Sequence, residues 1–99
     1  MAYNVELFEA AEDDLDAAIT WYVGESIPAT HRFLDSYLNI LDRLSDNPFQ
    51  FPKAKGEVRK ARFSPPFPYN VYFLVKDDTV YVVSVFHDRR NPEVWQNRT

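Results

Sequence analysis

The chain of 99 residues carries 45% apolar and 16% aromatic residues, no cysteine, and a formal charge of −4. That length supports one core and not two, the apolar and aromatic content excludes a disordered chain, and the missing cysteine excludes a disulfide framework or a thiolate metal site. No run approaches the ~20 apolar residues of a membrane span, and the acidic N-terminus does not read as a signal peptide. The expectation is one domain over 1–99, cytoplasmic, with no membrane contact, metal or cofactor.

Tyr3, Val5 and Leu7 alternate with Asn4, Glu6 and Phe8 and predict a short first strand. A helix follows, with Ala11, Leu15, Ala18, Ile19 and Tyr22 on one apolar face and Glu9, Glu12, Asp13, Asp14 and Asp16 crowding its first turns, where the helix dipole favours anions. Gly24 is expected to end it. Ser26 is placed to cap a second helix, with Pro28 in its first turn. Phe33, Tyr37, Leu38, Leu41 and Leu44 form that helix's predicted apolar stripe, and Asp46-Asn47-Pro48 stops it. Two helices joined by about three residues pack as an antiparallel hairpin.

Phe49–Gly56 reads as a loop holding Lys53 and Lys55. Glu57–Phe63 reads as a strand, with Val58, Lys60 and Arg62 on one face and Arg59, Ala61 and Phe63 on the other. Ser64-Pro65-Pro66 interrupts the ladder. Tyr69–Val75 and Val80–Phe86 are rich in Val, Tyr and Phe and flank Asp77-Asp78, a hairpin of turn length. Val83, Val85 and His87 are predicted on one face, Ser84 and Phe86 on the other. Asn91-Pro92 ends the last strand before a final helical turn over Glu93–Arg98. The order β-α-α-β-β-β predicts an α+β domain in which a helical hairpin covers one face of a mostly antiparallel sheet. Asn97-Arg98-Thr99 is a chance sequon.

Charge is unevenly placed. Residues 1–47 carry ten acids against Arg32 and Arg43, whereas residues 48–99 carry nine Lys/Arg against five acids. A basic half addresses phosphates or an acidic partner, or simply attracts the acidic half of its own fold. Standard catalytic signatures are missing. Gly24 and Gly56 are the only glycines, so there is no phosphate-cradling loop, and His31 and His87 lie far apart without metal-ligand spacing. Ser84, His87 and Asp88 are neighbours on one strand, a placement that does not make a triad. Asp13–Asp14 is read as a solvated helix face and His31 as an exposed helix residue.

The chemistry-bearing group is basic: Lys60 and Arg62 on one strand, Arg89 and Arg90 after another, and Lys53 and Lys55 in a loop. Clustered guanidiniums bind phosphates bidentately, and nearby aromatic rings stack on bases. The same groups suit an acidic peptide, and inert surface charge is the bland alternative.

The element order and the strings F-P-Y-N-V-Y-F-L-V and V-Y-V-V-S-V-F-H-D-R-R-N-P-E-V-W resemble the ParE/RelE superfamily, the toxins of bacterial toxin–antitoxin or plasmid stabilisation modules. Ala11, Asp14 and Leu15, the Trp21-Tyr22 pair, and Leu44 with Pro48 extend the resemblance over nearly the whole chain. It implies the α+β fold above and a cognate antitoxin. RelE-like members cut mRNA in the ribosome with sheet arginines and lysines and a C-terminal tyrosine. Arg89 matches one such arginine, Asn70 stands where another is expected, and Trp95 stands where the tyrosine would be. Indole has no ionisable O–H to act as general base, and His87 does not match the tyrosine's place. The resemblance therefore leans to ParE, whose members poison DNA gyrase. It implies target contacts at Arg89, Arg90, His87, Lys60, Arg62 and Trp95, and antitoxin contacts at Trp21 and Tyr22. The alternative is a RelE-like endoribonuclease acting with ribosome and mRNA, for which Arg89, His87, Arg62 and Lys60 are the catalytic candidates. A third possibility is an inert member that binds its antitoxin and represses its operon.

Overall fold

A computed structural model describes residues 2–99. Strand β1 (Asn4–Leu7) is followed by helices α1 (Glu9–Glu25) and α2 (Ile27–Asp46), a 3-10 turn at Pro48–Gln50, then β2 (Lys53–Lys55), β3 (Val58–Arg62), β4 (Tyr69–Lys76), β5 (Thr79–His87) and α3 (Glu93–Gln96). The strands form one sheet in the order β1-β5-β4-β3-β2. All pairings are antiparallel except β1 with β5. The α+β expectation holds, with the helical hairpin on one face. The expected Phe49–Gly56 loop differs: it contains the short edge strand β2, because Lys53 and Lys55 find register against Arg59 and Val58.

The hairpin between α1 and α2 is tighter than expected. Gly24 does not stop α1; the helix continues to Glu25, and Ser26 alone connects the two. The Ser26 amide donates to the Tyr22 carbonyl at 2.7 Å, and its hydroxyl accepts from the Ala29 amide at 3.2 Å. One residue thus ends one helix and caps the next.

Phe33 is fully buried at the centre of the helix-covered face. Its ring lies 4.8 Å from Phe63, 4.9 Å from Tyr22 and 5.3 Å from Tyr69. Ile40, not Leu38, completes the buried stripe of α2; Leu38 is 58% exposed. The opposite face of the sheet is covered by α3, where Trp95 stacks on Tyr72 at 4.0 Å and packs with Val58 and Phe86.

The largest departure from expectation is Asp14. It is buried, not solvated. β1 pairs with β5 only as far as Val82, and β5 then bulges, Tyr72 lying opposite Ser84 while Phe73 lies opposite Val82. Beyond that point the edge of β5 is met by side chains. Asp14 Oδ2 accepts from the Val85 amide at 3.2 Å and the Ser84 hydroxyl at 3.0 Å. Arg98 donates to the Val83 carbonyl at 3.1 Å and to Asp14 at 2.6 and 3.2 Å. The Asp14–Arg98 pair both blunts a sheet edge and ties the C-terminal segment to α1.

Burial also shapes the protein's response to alkali. It pushes the Tyr37 phenol up to about 12, and raises Tyr22, Tyr69 and Tyr72 as well. A phenol whose folded pKa exceeds its unfolded value of ~10 contributes stability fully below pH 10 and loses it as pH rises toward 12. The denaturant midpoint is expected to stay flat with respect to these groups up to pH 9, then fall between pH 10 and about 12, in step with tyrosinate absorbance.

Candidate functional site

The strand register gathers the chemistry at one end of the sheet. Tyr69 opens β4 opposite His87, which closes β5, and Asn70 lies opposite Arg62 at the end of β3. The Asp88 amide donates to the Pro68 carbonyl at 2.8 Å, which fixes the chain as it leaves the ladder. The second half of α1 passes over this end with Trp21 and Tyr22.

The pleat then sorts the candidates onto two faces. On the helix side, Trp21, Tyr22, Pro68, Tyr69, His87 and Arg90 line a cleft of about 530 Å³. Trp21 is 59% exposed, whereas Tyr22 is buried beneath it. His87 sets its ring 5.1 Å from Tyr69, and its Nδ1 accepts from the Arg89 amide at 3.0 Å.

On the other face, Asp88 is the hub. Its Oδ2 accepts from Arg62 at 2.9 Å and its Oδ1 from Asn70 Nδ2 at 2.7 Å. Lys60, Arg62 and Asn70 line a shallow hollow of about 360 Å³ shared with Arg43, Gln50, Phe51 and Pro52. Tyr72 stands beside this group: burial pushes its phenol up, the Asp88 carboxylate adds to that, and Arg62 opposes it.

The basic constellation is therefore only partly assembled. Lys53 pairs with Glu57 at 3.3 Å and Lys55 bonds Gln96 at 3.0 Å, so neither joins the sheet cations. Arg90 folds back over the Phe86 ring at 4.6 Å and approaches Asp14 at 3.8 Å. Arg89 and Lys60 are exposed, and their side chains form no ion pair among the described residues. His87 does not share a cavity with Lys60 and Arg62. Trp95 is 3% exposed and offers no free ring to a partner. Among the described residues, no group of three His, Cys, Asp or Glu side chains is arranged to hold a metal, and no helix is long and apolar enough to cross a membrane.

Sequence reasoning missed Pro68 and Tyr69 as cleft residues, and Asp14 and Arg98 as its buttress. Asp14 carried a signal: it falls in the line Ala11, Asp14, Ala18, Tyr22, the buried residues of α1. Arg98 carried none.

A family model described as the ParE toxin of type II toxin–antitoxin system, parDE, matches residues 5–92. Among solved structures, the chain is similar to a chromosomal ParDE toxin–antitoxin system from P. aeruginosa. The two are 19% identical with a TM-score of 0.72, over 87% of this chain and 96% of that one. It is also similar to a copper-bound mutant toxin from Helicobacter pylori, at 20% identity and a TM-score of 0.59, over 86% of this chain and 93% of that one. At such identities the likeness is one of fold. A comparison with curated proteins gives no match.

Proposed function

Because this chain belongs to the ParE toxin family of type II toxin–antitoxin systems, we propose that it arrests growth by binding DNA gyrase and is neutralised by an antitoxin encoded beside it. In this reading it acts in the cytoplasm as part of a plasmid stabilisation module, and toxin and antitoxin form a hetero-oligomer. It works by occupying a surface, not by making or breaking bonds. Arg89, with Arg90, His87, Lys60 and Arg62, meets the target; Trp21 and Tyr22 meet the antitoxin.

The observation that carries the choice of gyrase is Trp95. It stands where RelE-like members are expected to carry a reactive tyrosine, and it is buried beneath Tyr72, with only an indole N–H to offer. Purified gyrase is expected to lose supercoiling activity when the protein is added, and induced cells are expected to mount an SOS response. Undiminished supercoiling at stoichiometric excess overturns the reading.

One observation favours the ribonuclease alternative. Tyr72, half-buried against Trp95, shares the sheet face of Lys60, Arg62 and Asp88, so a phenol stands among cations there after all. A phenol is already protonated at neutral pH, and burial pushes this one further up, which suits a donor better than a general base. Rapid translation arrest with cleaved mRNA and no DNA-damage signal would select this alternative.

A further inference from the structure

Residues expected to meet two different partners line one cleft. Trp21 and Tyr22 come from α1, while His87 and Arg90 come from the end of β5 and the turn after it. The walls are apolar, formed by the exposed indole, Pro68 and the ring of Tyr69. The polar groups are donors. His87 Nδ1 is occupied by the Arg89 amide, which leaves Nε2 to carry the ring's N–H. Arg90 is 51% exposed, and its nearest carboxylate, Asp14, stands 3.8 Å away and is already bonded by Arg98 at 2.6 Å. The Tyr22 and Tyr69 phenols are neutral at physiological pH, and burial raises their pKa further. Among the described residues no acid lines the cleft, although α1 beside it is acidic.

We propose that this cleft binds an acidic peptide segment, with an apolar side chain packed between Trp21 and Pro68 and a neighbouring Asp or Glu carboxylate held by Arg90 and His87. The owner of that segment is the antitoxin, an attribution that rests on the toxin–antitoxin reading above. The antitoxin then covers Arg90 and His87, two groups offered to the target, and neutralisation is direct competition for one surface. A nucleic-acid strand fits less well, because the lining is mostly apolar and holds a single guanidinium.

The two tryptophans make the test direct. Trp95 is 3% exposed and Trp21 is 59% exposed, so emission quenchable by acrylamide reports on Trp21, with Trp21→Phe as the control. The probes are a blocked Leu-Glu-Phe-Glu-Leu peptide, its lysine counterpart Leu-Lys-Phe-Lys-Leu, and an octauridylate. The acidic peptide is expected to shield Trp21 and shift its emission to the blue. Arg90→Gln, confirmed folded by circular dichroism, is expected to weaken that binding roughly ten- to a hundredfold, as loss of a charge-assisted hydrogen bond implies. Equal or better protection by the lysine peptide or the oligonucleotide overturns the proposal, as does unchanged affinity in Arg90→Gln. An antitoxin that neutralises the protein yet leaves Trp21 fully quenchable also overturns it, while leaving the toxin reading intact. Growth unaffected by expression of the chain would instead sink the toxin reading, and the peptide results would still judge the cleft.

Discussion

Asp14→Ala is expected to destabilise the protein by about 3–5 kcal/mol, the range for breaking a buried ion pair by removing one partner. The carboxylate holds three donors of different origin: the Arg98 guanidinium, the Ser84 hydroxyl and the Val85 amide. Removing it leaves a guanidinium whose side chain is only 19% exposed with the Val83 carbonyl alone, and takes the acceptor from a fully buried hydroxyl and a strand amide. Against a total stability on the order of 5–15 kcal/mol for a small domain, that loss is large. Asp16→Ala, on the exposed side of the same helix, is the control and is expected within ~0.5 kcal/mol of wild type. Arg98→Ala is expected to cost less than Asp14→Ala, since Ser84 and Val85 still satisfy the carboxylate, and the double variant should fall short of the sum. Because Arg98 also tethers the segment bearing Trp95, Asp14→Ala should make that indole more accessible before global unfolding. Equal denaturant midpoints for Asp14→Ala and Asp16→Ala would show that the network is not holding the edge of β5.

That network shows where sequence reading stopped. The helical hairpin was legible because Ala11, Ala18 and Tyr22 recur at helical spacing and Ser26 is a capping residue followed by Pro28. The β4–β5 hairpin was legible because two β-rich runs flank Asp77-Asp78, and Asp77 takes the left-handed conformation (φ 55°) that aspartate tolerates. Asp14 was misjudged because its sequence neighbours are acids, and local charge outweighed its place in the apolar line. Its burial depends on Arg98, a contact across 84 residues that no local pattern encodes. The bulge in β5 was equally invisible, since it arises where β1 ends and the side-chain pair begins. The cleft was half legible. Trp21 and the His87–Arg90 turn stood out separately, but their meeting depends on how far α1 runs across the sheet, which Gly24 disguised by appearing to end it.

Arg89→Ala is expected to abolish growth arrest while leaving fold and antitoxin binding nearly intact. Among the cations after β5, Arg89 is the one left uncommitted: Arg90 rests on Phe86 and leans toward Asp14, whereas the exposed Arg89 side chain makes no ion pair among the described residues. Only its amide is engaged, by His87 Nδ1, and alanine retains that bond. Truncation therefore removes a guanidinium without opening the core. A charged group desolvated against a partner carries about 2–5 kcal/mol of affinity, so target binding should weaken roughly thirtyfold or more. Arg90→Gln should weaken antitoxin binding, because its guanidinium borders the cleft, and should reduce growth arrest less than Arg89→Ala does, because Arg90 also rests on Phe86. The checks are colony counts after induction, antitoxin pull-down and a thermal melt on each purified variant. Full toxicity in Arg89→Ala, or loss of toxicity accompanied by a lowered melting temperature, would remove Arg89 from the target surface.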